Sequence, residues 1–397
     1  MKKNSENPIA VLGLPFNNVT ADGAVDMIER LVLSGGTHQV CPVNSDVWLN
    51  ALSDTHLHRI MAGCSMVVAD GMPLVWASGL MGCPLPERVT GVDLVPRLAA
   101  LSARKGYKIF LLGGREGVAD RCAALLESKF PGVQIVGTYA PNEQSLTRMD
   151  HTEILSRVHA ARPDILLVAF GNPKQEKWIW MHRKRLGVPV SMGVGGSFDI
   201  LVGDMRRAPR WIQRCGMEWA MRFLQEPARL GPRYLRDFAG LFRRLPVAMG
   251  AAWLQRPFLG ISNVDKASTP QALHVYLHGK LSGEMADELN TATAESVLNG
   301  LVMVVHLDGV RQITAAGLGV MLAVRRQLLE AGLSLSLAGV SLRQRFLLHA
   351  WRLKPLFDEW HPTIGRGRAM APIANLPAAM TLRAEVESLP AQTRIRG

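Results

Sequence analysis

The stretch DILLVAFGNPKQEKWIWMHRKRLGVPVSMGVGG, residues 164–196, decides the fold. It opens on the apolar run DILLVAF (164–170), breaks at Gly171-Asn172-Pro173, runs in helical spacing through QEKWIWMHRKRLG, and closes on a second apolar run, PVSMGVGG (189–196). A strand that is apolar throughout suits a parallel sheet covered on both faces, and strand–helix–strand is the unit that builds one. Similar runs lie at IAVLGL (9–14), SMVVAD (65–70), YKIFLLGG (107–114) and VQIVGTY (133–139), with helical patterns ADGAVDMIERLVLSG and GVADRCAALLESKF between them. Residues 8 to about 200 therefore read as an α/β domain, a Rossmann-like doubly wound parallel sheet whose ligands bind beyond the carboxyl ends of the strands.

The strand ends carry the chemistry. Asn172 is placed as an N-cap, Pro173 suits the first helical position and Gln175 falls at the capping-box site, so these residues start a helix. A second reading has the helix-start N–H groups, with Lys174 and Gln175, facing a polar ligand. Gly113 and Gly114, in FLLGGREGVAD (110–120), let backbone approach a phosphate or sugar closely, although the pair falls short of a full dinucleotide fingerprint. GVGGSFDILVGD (193–204) repeats the theme, with Asp199 and Asp204 nearby. Asp70 ends an apolar strand before a glycine turn, as a helix cap or as a general base. The eleven histidines are scattered, no cluster has metal-ligand spacing, and no Asp-x-Asp pair is present.

The 397 residues carry a net charge of +12, unevenly spread. Arg206 to Arg256 holds eleven Arg, no Lys and three acids, together with several Trp, which suits nucleic acid, anionic lipid or a phosphorylated substrate. No DNA or RNA motif accompanies it, which disfavours nucleic acid. Five cysteines without a Cys-x-x-Cys pair indicate a reducing compartment, and no run approaches the ~18–20 apolar residues of a membrane span. The N-terminus lacks an apolar core of signal-peptide length, so a cytoplasmic, membrane-peripheral protein is expected. The expected organisation is an α/β core over 1–203, a helical Arg/Trp-rich appendage over 204–257, a linker over 258–269, a second small α/β domain over 270–365 and a flexible tail over 366–397.

Five separated blocks, VNSDVWLNAL, VVADGMPLVWASGLMGCPLPERVTGVDLVPRL, FLLGGREGVAD, AFGNPKQEKWI and GVGGSFDILVGDMRRAPRWIQRCGMEWAMRFLQEPARLGPRYL, resemble in order and spacing the WecG/TagA/CpsF glycosyltransferases. The resemblance covers roughly residues 8–240. It implies inverting, β-forming transfer of a sugar from a UDP-sugar to a polyprenyl-diphosphate-linked saccharide at the inner face of the bacterial membrane. The products implied are teichoic-acid, antigen or exopolysaccharide precursors. By position it gives Asp70 as general base, with Asn44 and Gln175 lining the same pocket. Gly196 and Asp199 would hold the nucleotide, and Arg222, Arg229 and Arg233 would reach the diphosphate in a metal-independent, cofactor-free reaction. Relatives of this kind often self-associate. Pro42 stands where relatives often carry Thr, which removes a hydroxyl from the site and leaves the donor sugar open.

Residues 270–362, through VVHLDGVRQITAAGLGVML, resemble a STAS domain. Its phosphorylatable versions carry Asp-Ser-Ser-Gly where this chain has Thr314-Ala315-Ala316-Gly317, so the usual phosphoserine position is Ala315 and Thr314 reads as a helix cap. The domain is expected to dock a protein partner without that switch. The alternative to an enzyme is a catalytically idle sugar-nucleotide sensor that signals through the STAS domain, and the retained Asp70, Asn44 and Gln175 favour the enzyme.

Overall fold

The computed structural model describes residues 7–142, 145–205, 209, 212, 218–225, 227–254, 258, 260–357 and 360–361. The first element is a hairpin of β1 (Ile9–Val11) and β2 (Leu14–Phe16), paired antiparallel. Leu12 (φ 48°) and Gly13 (φ 93°) both take the left-handed region, as a two-residue hairpin turn requires. This corrects one expectation: IAVLGL does not join the parallel sheet, because the turn folds it back on residues 14–16.

The chain continues through α1 (Ala21–Leu33), β3 (His38–Val43), α2 (Ser45–Ser53), α3 (Thr55–Gly63), β4 (Met66–Ala69), α4 (Met72–Leu80), α5 (Gly91–Lys105), β5 (Lys108–Gly113), α6 (Val118–Lys129), β6 (Gln134–Tyr139), α7 (His151–Ala161), β7 (Ile165–Ala169), α8 (Lys174–Leu186), β8 (Val190–Gly193) and α9 (Ser197–Leu201). Strands β3 to β8 form one parallel sheet in the order β4-β3-β8-β7-β5-β6. Helices cover both faces: Ile28, Leu94, Leu98 and Cys122 pack on one, Ile154, Leu155, Trp178 and Ile179 on the other. Strand β3 escaped the sequence reading because HQVCPV contains Pro42, which signals an edge. It is nonetheless central. Its last residue paired with β8 is Val40, so the missing N–H of Pro42 falls where that ladder has already ended.

Two helices follow the sheet, α10 (Glu218–Gln225) and α11 (Pro227–Trp253). A second, mixed sheet then runs through β9 (Asn263–Ser268), β10 (Ala272–Leu281), β11 (Val302–His306), β12 (Val310–Ile313), β13 (Leu335–Ala338) and β14 (Trp360–His361). Its order is β12-β10-β11-β13-β14, with β9 antiparallel against β10. It carries α12 (Ala286–Asn299), α13 (Ala315–Glu330) and α14 (Leu342–Ala350). The stretch expected as a linker thus contains an edge strand. NVDKAS is exposed at five of its six positions, so it shows no alternation of apolar and polar residues. Thr314 caps α13, accepting from Gly317 N at 3.0 Å, as expected. The tail from 366 lies outside the described residues.

The hairpin and the second sheet share one continuous apolar core with α2, α3 and α11. Trp48 sits at its centre, fully buried, with its indole N–H donating to Leu12 O at 3.0 Å. Deleting so large a buried side chain leaves a cavity and an unsatisfied carbonyl at the hairpin turn. Trp48→Ala is expected to lower the free energy of unfolding by about 3–5 kcal/mol in a urea titration of the full chain.

Candidate active site

The carboxyl ends of five parallel strands line up in the order Asp70 (after β4), Asn44 (β3), Gly195 (β8), Asn172 (β7) and Gly114 (β5). Four inter-strand gaps of ~4.8 Å make this edge roughly 19 Å long, enough for a nucleotide diphosphate at one end and a second substrate at the other.

Asp70 and Asn44 are neighbours. Val43 and Ala69 are register partners, Asp70 N donates to Val43 O at 2.8 Å, and a Cβ on Gly71 would lie 3.6 Å from Asn44 Cα. Asn44 caps α2, its Oδ1 accepting from Val47 N at 3.0 Å. Two residues on, Asp46 pairs with Arg236 of α11 and accepts a long bond from Asn172 Nδ2 at 3.5 Å. Asn172 Oδ1 is buried with no hydrogen-bond partner among the described residues.

The helix start at 172–176 differs from the capping expectation by one residue. Pro173, not Asn172, occupies the cap position of α8, and no side chain caps it. Gln175 does not close a capping box either. Its Oε1 accepts from Gly171 N at 3.2 Å and Gly195 N at 3.0 Å, which ties the loop after β7 to the loop after β8. Glycine at 193 is what admits it, since a Cβ there would meet Gln175 Nε2 at 2.6 Å. Lys174 is half-buried and makes no ion pair among the described residues.

At the far end, Gly113 (φ 95°) lies against the end of β7, where a Cβ would meet Phe170 Cδ1 at 2.8 Å and Ala169 O at 2.9 Å. Gly114 N donates to Ala169 O at 3.0 Å. Arg115, missed in the sequence reading, extends from this turn and holds Asp199 through Nε at 3.0 Å and Nη2 at 2.7 Å. Arg121 holds Asp204 at 2.5 Å. Asp199 is therefore engaged by a cation at the mouth of the site, one turn past Gly196, which caps α9. The side chains of Arg222, Arg229 and Arg233 lie outside the described residues. Arg236 and Asp46 also escaped notice. An Asp two residues after a cap asparagine was the available signal.

An α/β sheet with a glycine-rich turn and an arginine at one end, and an aspartate beside an asparagine at the other, has the polar ligand-binding edge that doubly wound sheets carry beyond their strand ends. The chain belongs to the Glycosyl transferase WecG/TagA/CpsF family, which matches residues 9–254, and it carries a STAS domain over residues 263–366. It is a glycosyltransferase. It is 29% identical over 217 residues to the N-acetylglucosaminyldiphosphoundecaprenol N-acetyl-beta-D-mannosaminyltransferase of Bacillus subtilis (strain 168), covering 54% of this chain and 83% of that protein. A protein of the same name from Staphylococcus aureus (strain MW2) is 28% identical over 232 residues, covering 58% and 89%. A solved structure of the anti-sigma factor antagonist SpoIIAA in its unphosphorylated form aligns over 22% of this chain and 82% of that one, at 14% identity and a TM-score of 0.20.

Glu176 is the least expected residue of the site, because an acid in the first turn of a helix reads as a solvated one. It is fully buried, accepts from Gln175 Nε2 at 2.7 Å through Oε1, and has no partner for Oε2 among the described residues. Burial pushes its carboxyl up from 4.5 to about 7, against the opposing bond from Gln175. A folded-state value above the unfolded one means stability that is present below pH 4.5 and lost as pH rises through 7. The loss amounts to about 3 kcal/mol. Glu176→Gln removes it, so urea titrations should show the variant gaining about 3 kcal/mol on wild type between pH 4 and pH 8. A pH-independent difference would mean that folding leaves the Glu176 carboxyl at its ordinary value despite its burial.

Proposed function

We propose that this chain is an inverting transferase that moves a sugar from a UDP-sugar to a polyprenyl-diphosphate-linked saccharide in bacterial surface-polysaccharide synthesis. The observation that carries the reading is the pairing of Asp70 with Asn44 at adjacent strand ends, three and four strands from the Gly113-Gly114-Arg115 turn. The relatives' names supply the chemical class, N-acetyl-β-D-mannosamine transferred to N-acetylglucosaminyl-diphospho-undecaprenol. The donor nucleotide sits at the β5–β8 end, its diphosphate toward Arg115 and Lys174. The acceptor hydroxyl meets Asp70, which takes its proton as the oxygen attacks the sugar's anomeric carbon from the face opposite UDP. The bond from that carbon to the diphosphate breaks, and its electron pair leaves with UDP. Cationic side chains offset the charge on the departing group, so the reaction is proposed to proceed without a metal.

The acceptor's lipid places the site at a membrane surface. Among the described residues no helix is long and apolar enough to cross a membrane. Helix α11 suits a surface position: it is 27 residues long, roughly 40 Å at ~1.5 Å per residue. Its exposed Leu235, Phe242 and Trp253 fall within about 20° of one line along the helix. The exposed Arg243 lies about 80° to one side of that line, where a cation can meet anionic head groups. Phe242→Glu should reduce co-sedimentation with phosphatidylglycerol vesicles, and added salt should weaken binding of the wild type.

The decisive experiment is UDP release by the purified chain from a panel of UDP-sugars, with and without a short-chain polyprenyl-diphosphate saccharide. Release should require the acceptor and fall at least about 100-fold in Asp70→Asn, with UDP binding retained. Turnover near the wild-type rate in Asp70→Asn would remove Asp70 as the base.

A further inference from the structure

The start of α13 is where phosphorylatable STAS domains expose their serine. Here it is buried, with Ala315 only 3% accessible. The helix lies directly on the transferase hairpin. At Gly319 a Cβ would fall 1.8 Å from Pro8 O and 2.9 Å from Ile9 Cα, so any side chain would drive the two apart. The far end of the STAS domain makes a second backbone contact, because a Cβ on Gly13 would fall 2.6 Å from Trp351 O. Between these points His58 donates through Nε2 to Gly13 O at 2.8 Å.

Trp351 then reaches the appendage. It is buried, and its indole N–H donates to Ala248 O of α11 at 3.1 Å. Leu241, Ala248 and Ala251 turn the inner side of that helix into the shared core. Two turns before Ala248, α11 presses on α2, with a Cβ at Gly240 placed 2.7 Å from Leu49 Cδ1. One turn earlier again, Arg236 pairs with Asp46, and Asp46 accepts from Asn172. A continuous chain of contacts thus runs from the STAS domain to the Asp70–Asn44 end of the site.

We propose that the STAS domain is a fixed internal brace that seats α11 over the acceptor end of the active site, with Gly319 and Trp351 as positioning residues. Phosphorylatable domains of this fold use the same helix end as a switch. Here the transferase's own hairpin lies against that helix one turn further on, at Gly319, so the domain acts within its own chain. The proposal rests on the transferase reading above, and acceptor binding rather than donor binding is what the brace controls.

The test uses the full chain and the variants Trp351→Ala, Trp351→Phe and Gly319→Val. Hydrogen–deuterium exchange of residues 227–253 reads the brace without any turnover. These amides should exchange at least tenfold faster in Trp351→Ala and Gly319→Val, and by less in Trp351→Phe, which keeps the ring and loses the N–H. In UDP-release kinetics the KM for the lipid-linked acceptor should rise at least fivefold, with the KM for the UDP-sugar and kcat at saturating acceptor within twofold. Unchanged exchange in 227–253 in a folded variant would overturn the brace, whatever the substrate. Faster exchange with an unchanged acceptor KM, or with donor and acceptor KM raised alike, would overturn its role in acceptor binding. Should Trp351→Ala and Gly319→Val fail to fold, Trp351→Phe alone decides on the same two measurements. A wild-type chain that turns over no donor would refute the transferase reading and leave the exchange experiment to judge the brace.

Discussion

The side chain of Gln175 is the joint on which the active-site edge depends. One amide oxygen holds the N–H of Gly171 and the N–H of Gly195, so the loops after β7 and β8 cannot move independently. Its nitrogen is spent on Oε1 of Glu176, whose buried Oε2 has no hydrogen-bond partner among the described residues. The geometry demands glycine at 193, and it spends the polar capacity of Gln175 inside the protein. Gln175 therefore shapes the pocket from behind. On the proposed reading the groups that face substrate are Asp70 and Asn44 at one end of the sheet edge, and Lys174 with the Gly113–Arg115 turn toward the other.

These two ends have different electrostatic characters. Arg115 and Arg121 face Asp199 and Asp204 at the rim, where water screens each pair and makes it exchangeable. An incoming diphosphate can take over a guanidinium that a carboxylate holds only loosely. At the other end Asp46 sits between Arg236 and Asn172, so an element from outside the sheet contributes a charge beside Asn44 and Asp70. The site is built from the sheet and the appendage together.

Much of this was legible in the sequence. The uninterrupted apolar runs gave five of the six parallel strands, and the breaks after them located Asp70, Gly113 and Gln175. The failures have physical causes. IAVLGL has the composition of a sheet strand, but its Leu-Gly turn decides the matter through backbone dihedrals that composition does not display. HQVCPV was hidden by a proline whose missing N–H happens to fall past the end of a ladder. NVDKAS was hidden because an exposed edge strand has no buried face to alternate with. Asn172 was taken for a cap because local preference favours it, whereas the chain placed Pro173 there and turned the asparagine toward α2. Glu176 and the contact between Gly319 and Pro8 depend on residues far apart in the chain, and no local pattern encodes them.

The hairpin at residues 9–16 leaves the ribosome before the other described elements, yet its apolar side is covered by a helix that begins at Ala315. Until roughly the last tenth of the described chain has emerged, Ile9, Val11 and Leu14 have no finished core to enter. The parallel sheet can assemble behind them, and the nascent protein then holds a folded catalytic layer with an open apolar edge. A chain that stopped short of Ala315 would leave that apolar surface uncovered, the kind of surface that chaperones and proteases recognise.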